Sequence, residues 1–242
     1  MNAGRGRTGI LVPGAVALLG LLMLLGLGSW QVERRAWKEA LIETLTKRLN
    51  ADPVALPPPG NWAQMTPENW EFRRVRLPVE FGGGDDALVY ASGSALRDDV
   101  KAPGYFVFTP ARLPGGGQVV VNRGYVPDRT VPPASGPGNI VGYLRWPEAP
   151  SWFIAAHDDG GAVWYARDQR AMADLKGWGP VAPFYLEQEA PVPAGGLPHP
   201  APLKVRLRND HLQYAITWYG LAAVLVVMFT IWTVRRRREQ PD

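Results

Sequence analysis

NDHLQYAITWYGLA, residues Asn209–Ala222, opens a stretch that carries no charge from Tyr214 to Val234. About 21 uncharged, mostly apolar residues are enough for a helix to cross a ~30 Å hydrocarbon core. One histidine, His211, lies just before this span, so an imidazole sits where a membrane helix would meet water. The same pattern recurs at the other end of the chain. Ile10–Leu27 is also uncharged, at about 18 residues also long enough to cross. The expectation is an α+β membrane protein in which two transmembrane helices flank whatever lies between them.

The chain has 242 residues, with 26 basic and 22 acidic side chains, three histidines and no cysteine. A cleaved signal peptide is the alternative for the first block, since Arg5 and Arg7 precede it. Its apolar run exceeds the 7–15 residues usual for such signals, and GLGSWQVERR offers no A-x-A-like cleavage site. The block is therefore read as a retained anchor. Arg5 and Arg7 before the first span, and Arg235–Arg238 after the second, make both short tails basic. Basic tails stay on the cytoplasmic side. Residues 1–9 and 235–242 are then cytoplasmic tails of an inner-membrane protein. Residues 10–30 and 211–234 are the spans, and residues 51–210 form a periplasmic domain. The arginine run suits anionic lipid at the helix end, and no nucleic-acid partner is expected.

Gln31–Asn50 continues the first span with a different pattern. Trp37, Leu41, Leu45 and Leu49 recur every four residues among charges, which describes an amphipathic helical extension. Pro53, Pro57, Pro58 and Pro59 end it. From Glu71 to Leu207 short apolar runs alternate with Gly and Pro breakers. Expected strands are 72–81, 88–96, 105–113, 118–122, 140–144, 162–166, 183–187 and 204–208, with a short helix at Gln169–Leu175. Strands at this spacing predict an antiparallel barrel or sandwich.

Several chemistries lack their signatures. There is no G-x-S-x-G elbow, no H-E-x-x-H and no Gly-Lys phosphate loop. Without cysteine there is no disulfide and no thiolate metal site, and five scattered methionines do not make a copper carrier. His157 and His199 read as surface histidines. The expectation is a protein that is not an enzyme.

On a helix His211, Ala215, Trp218 and Ala222 form one stripe, at i, i+4, i+7 and i+11. Alanines admit a flat ring, indole stacks on one, and a neutral imidazole is an axial ligand to haem iron. Arg34, Arg35, Arg206 and Arg208 are candidate partners for propionates. The competing reading is an aromatic belt at the membrane interface, with Tyr214, Trp218 and Trp30 as anchors. Chemistry alone leaves both open.

Six segments in order carry a resemblance. LGSWQVERRAWKEALI (Leu27–Ile42), FRRVRLPVEF (Phe72–Phe81), PGYFVFTP (Pro103–Pro110), VVVNRGYVP (Val119–Pro127), GYLRWPE (Gly142–Glu148) and NDHLQYAITWYGLA are similar to motifs of the Surfeit locus protein 1 family. Tyr125 stands where that family more often has Trp, and Asp210 where it more often has Asn. The resemblance, to a bacterial member, implies an assembly factor for haem-copper cytochrome c oxidase. It implies binding of haem a, transiently, and assistance in its delivery to subunit I from haem a synthase. The family's proposed iron ligand maps onto His211, and Asn209, Gln213, Tyr214 and Trp218 also match. The expected haem-binding set is His211, Trp218, Tyr214, Trp30, Arg34 and Arg208, with His211 as axial ligand and membrane lipids around it. The GYV of VVVNRGYVP reads as a turn at Gly124. Two rival readings remain: a cofactor-free membrane scaffold that stabilises a subunit I intermediate, and an extracytoplasmic enzyme. The enzyme would require polar residues clustered inside the β-domain.

Overall fold

The computed structural model describes residues 5–83, 86–94, 96–148, 155–158, 160–204 and 209–239, with side chains from residue 10 onward. It divides into two compact units, residues 44–206 and the two chain ends, 1–43 with 207–242.

The larger unit is built on the strands β1 (Val54–Ala55), β2 (Arg74–Gly82), β3 (Ala87–Ala91), β4 (Gly104–Arg112), β5 (Gln118–Val126), β6 (Ser135–Arg145), β7 (Val163–Trp164) and β8 (Tyr185–Ala190). They join in the order β1-β2-β6-β8-β5-β4-β3-β7, and β2 also pairs with β4 through Glu80–Arg112 and Phe81–Ala111. That last pairing closes β2, β6, β8, β5 and β4 into a five-stranded barrel. The expected barrel is therefore present, but its pairing is mixed rather than purely antiparallel. β8 runs parallel to β5, as β1 does to β2 and β7 to β3. The β5–β8 pair is parallel because a long crossover separates them, carrying β6, β7 and the helix α3 (Gln169–Lys176).

Alternation along the strands makes two layers. Val75, Leu77, Val79, Ala111, Val119, Val121, Ile140, Leu144 and Leu186 come from all five closing strands and fill the barrel. The alternate residues of β4, β5 and β8, Phe106, Phe108, Val120 and Tyr185, pack outward with Trp164 and Met172 of β7 and α3. Full burial of each large side chain stabilises by about 1.5–3 kcal/mol. The helix α3 is where the sequence placed it. Asp168 caps it by accepting from the amides of Arg170 and Ala171, and Gly177 ends it with φ 67°.

Several strand boundaries differ from expectation. β6 starts at Ser135, because Gly136, Pro137 and Gly138 continue a ladder with β2 instead of breaking it. β3 stops at Ala91, short of Leu96, and β7 is confined to Val163–Trp164. Most of the strand expected at 204–208 lies outside the described residues. Gly124 is not in a turn. It sits within β5 at φ 124°, and a Cβ there would lie 2.3 Å from the carbonyl carbon and oxygen of His199. The passing backbone bonds to the strand on both sides, from Tyr125 N–H to His199 O at 3.0 Å and from His199 N–H to Tyr125 O at 2.8 Å. Glycine is required by close approach and a left-handed φ together.

The smaller unit holds the helix α4 (His211–Arg238) and the helix α1 (Arg5–Asn50) up to residue 43, while the last turns of α1 belong to the larger unit. Both are long and apolar enough to cross a membrane. α1 is one uninterrupted helix, so the expected extension at 31–50 is its last part. Only the end of the extension's apolar stripe is covered. Leu49 is buried with Tyr143 and Leu203, while Leu41 and Trp37 are exposed. Beside Leu49, Arg48 donates to the carbonyls of Glu71 and Glu68, which fixes the end of α1 to the β-domain.

Candidate functional site

His211 is the first residue of α4. Asp210 precedes it with φ −91° and ψ 7° and gives no side-chain cap. α1 and α4 run antiparallel, because contacts move down one as they move up the other. A Cβ built on Gly14 would lie 3.7 Å from Phe229, one on Gly20 3.5 Å from Leu225, and one on Gly28 2.7 Å from the ring of Tyr219. Glycines thus let the larger side chains of α4 close on α1. At the upper end Ser29 and Tyr219 share a hydroxyl hydrogen bond of 3.1 Å. The last contact is His211 Nδ1 to Gln31 Oε1 at 2.7 Å.

The stripe is only partly as expected. Ala215 and Ala222 are 2% and 3% exposed, so the two alanines are already covered. His211 and Trp218 are partly buried. Tyr214 and Trp30 are each more than half exposed. Arg34 stacks its guanidinium 4.3 Å over the ring of Trp37. The side chain brought to His211 from α1 is Gln31, and Gln31 was not among the candidates. Its signal was present in SWQVERR, one residue after Trp30, but a polar amide beside aromatics and arginines does not stand out. Arg208 and Arg206 lie outside the described residues.

A second polar group lies inside the β-domain. Arg145 of β6, 6% exposed, holds Glu71 at 3.2 Å, Glu148 at 3.6 Å and the buried Glu187 of β8 at 3.8 Å. Arg167 bonds to the same Glu148 at 3.2 Å. Burial opposes the charge on both guanidiniums, but Tyr185 and Glu187 outweigh it and raise both pKa values above the ordinary arginine value. Burial also pushes the Tyr185 hydroxyl well above the ordinary tyrosine range, and Tyr143 up to about 12. The enzyme reading required such a cluster, and this one consists of arginine–carboxylate pairs that brace the strands. Glu71 and Glu148 lie 3.2 Å from a guanidinium, and Glu187 lies 3.8 Å from Arg145 without a hydrogen bond to it. Among the described residues no histidine pairs with them. The network ties β6, β8 and the residue after the helix α2 (Pro67–Trp70) together. Sequence reading missed it because Arg145 and Glu187 are single charges inside strands.

The other two histidines serve the fold. The His157 ring lies 4.7 Å from that of Trp164, and His199 supplies the backbone that crosses Gly124. Among the described residues no group of three or more His, Asp or Glu side chains could hold a metal ion.

Residues 18–223 match the model of the SURF1 family. The chain is 32% identical over 230 residues to Surfeit locus protein 1 of Rattus norvegicus, covering 87% of this chain and 72% of that protein. It is similarly 32% identical over 226 residues to the protein of that name from Homo sapiens, covering 86% and 73%. A SURF1-like protein of Monosiga brevicollis is 33% identical over 231 residues, covering 88% and 83%. The family match runs from within α1 across the barrel into α4, and the chain belongs to the SURF1 family, which is linked in general to assembly of cytochrome c oxidase.

Proposed function

We propose that this protein binds haem a through His211 and helps deliver it to subunit I of cytochrome c oxidase, receiving it from haem a synthase. The observation that carries the reading is the setting of His211, a partly buried imidazole at the first residue of a helix apolar enough to cross a membrane. In this reading α1 and α4 span the inner membrane. The basic tails are cytoplasmic by the positive-inside rule, and the barrel is periplasmic.

The residues present fit one iron ligand better than a closed pocket. His211 offers an imidazole nitrogen at a helix end, while Ala215 and Ala222 are covered and do not leave a slot. Exposed Trp30 and Tyr214 provide aromatic surface near that end of the helices. When bound, haem a supplies the redox iron that the oxidase needs. His211 would hold that iron from one side, Trp30, Tyr214 and Trp218 would shield the ring, and Arg34 and Arg208 would pair with the propionates. Binding from one side suits a cofactor that must leave again.

A cofactor-free scaffold is the second reading, favoured by the exposed Trp37 and Leu41 on the extension of α1. Complementation separates the two. In cells lacking this protein, the wild type should restore haem a in subunit I, and His211→Ala, present in the membrane at equal level, should not. Full restoration by His211→Ala would favour the scaffold.

A further inference from the structure

We infer that Gln31 is a positioning residue that holds His211 in the Nδ1-protonated tautomer and so reserves the Nε2 lone pair as the ligand. This rests on the haem a reading above.

The inference starts from what each atom can do. An amide oxygen only accepts hydrogen bonds, and a neutral imidazole carries one N–H. At 2.7 Å from Gln31 Oε1, Nδ1 must be the donor. Nε2 is then the nitrogen left with a lone pair. Ligating histidines elsewhere are held in the same way, by an acceptor on the second ring nitrogen that fixes both tautomer and ring plane.

The contact is held in place from both helices. Gly28 leaves room for the Tyr219 ring, where a Cβ would sit 2.7 Å from it. Ser29 bonds the Tyr219 hydroxyl at 3.1 Å. These neighbours fix the approach of α1 to α4 two and three residues before Gln31, so the amide does not reach His211 by chance rotation of a free side chain. The residue types also matter. An amide acceptor is cheaper than a carboxylate to keep away from water. It polarises the imidazole less, since hydrogen bonds to charged acceptors are roughly twice as strong. A weak push makes a ligand that binds iron and lets it go. Glutamine at this position therefore suits transfer, and glutamate would suit retention.

The test uses the full chain in detergent micelles with 15N-labelled histidine, without haem and then titrated with haem a. The 15N spectrum of the haem-free wild type should show His211 protonated at Nδ1. A wild type protonated at Nε2 overturns the inference without any variant. Gln31→Leu should lose the Nδ1 preference and bind haem a about 10–100-fold more weakly. Gln31→Glu should keep the Nδ1 proton and release haem a more slowly than wild type. Circular dichroism checks that each variant stays helical, and if Gln31→Leu does not fold, the wild-type tautomer and Gln31→Glu decide. His211→Ala separates the two claims. If it binds haem a as tightly as wild type, the haem reading itself fails. If it abolishes binding while Gln31→Leu matches wild type in tautomer and affinity, only the role of Gln31 is overturned.

Discussion

The barrel and the two long helices are built from the same apolar residue types and treat them in opposite ways. In the barrel Val75, Val120, Val121, Phe106 and Phe108 have no exposed surface. On the helices Leu19, Met23, Val224 and Met228 are each more than half exposed. Even charge follows the contrast, since the barrel buries Arg145 and Glu187 while α4 keeps its arginines in its last turn. Apolar burial in water drives the first arrangement. Apolar surroundings would suit the second, and in such surroundings small residues rather than burial draw helices together. Gly14, Gly20 and Gly28 opposite Phe229, Leu225 and Tyr219 are that kind of seam.

Substitutions that treat one unit by the other's rules should break the comparison. The largest effect is expected at the buried network. Arg145→Ala would take from the buried Glu187 its guanidinium at 3.8 Å, at a cost of about 3–5 kcal/mol. Denaturant unfolding followed by tryptophan fluorescence should show it, and an unchanged midpoint would mean the network is not a brace. Gly124→Ala forces a Cβ into the His199 backbone at a positive φ, and about 3 kcal/mol should be lost in the same assay. A neutral result would disprove the close approach.

For the helices the comparison turns on surroundings. Val224→Lys replaces an exposed residue at the middle of α4 and should cost about 2.5–3.5 kcal/mol of insertion. Tyr90→Lys, exposed on β3, should change stability by about 0.5 kcal/mol or less. An insertion assay in microsomes reads the first and thermal unfolding the second; equal effects would remove the distinction between the units.

The smallest effect is expected at Asp99 of the barrel. Its hydrogen bond from Arg97 holds the carboxyl below the ordinary aspartate value of 3.8. A depressed folded pKa means the stabilisation is fully present above the unfolded value and is lost as pH falls from there through the folded value. The advantage of wild type over Asp99→Asn, about 1 kcal/mol or less at this partly exposed site, should therefore shrink below about pH 4. An advantage independent of pH would show that the ion pair contributes nothing.

Much of this was readable in the chain. Two uncharged runs announced α1 and α4, and alternation in RRVRLPVEF announced the barrel wall. Asp168 and Gly177 bracket α3, as local capping chemistry allows. What failed depended on distant partners. The strand expected at 140–144 is too short because the ladder partners of Gly136 and Gly138 on β2 lie far away in sequence. Gly124 looked like a turn because His199 was invisible beside it. The parallel pairing of β8 with β5 also has no local signal. At the candidate site His211 stood out by type and position. Gln31 did not, since its significance comes from a helix some 180 residues away.

The central claim, that His211 is the haem a ligand, is tested most directly by the optical spectrum of the purified protein. It should be co-expressed with the enzymes of haem a synthesis and compared with His211→Ala. The account predicts a reduced haem a band in the wild type that is missing from the folded variant. A band of equal strength in both, or none in the wild type from cells that make haem a, would contradict it.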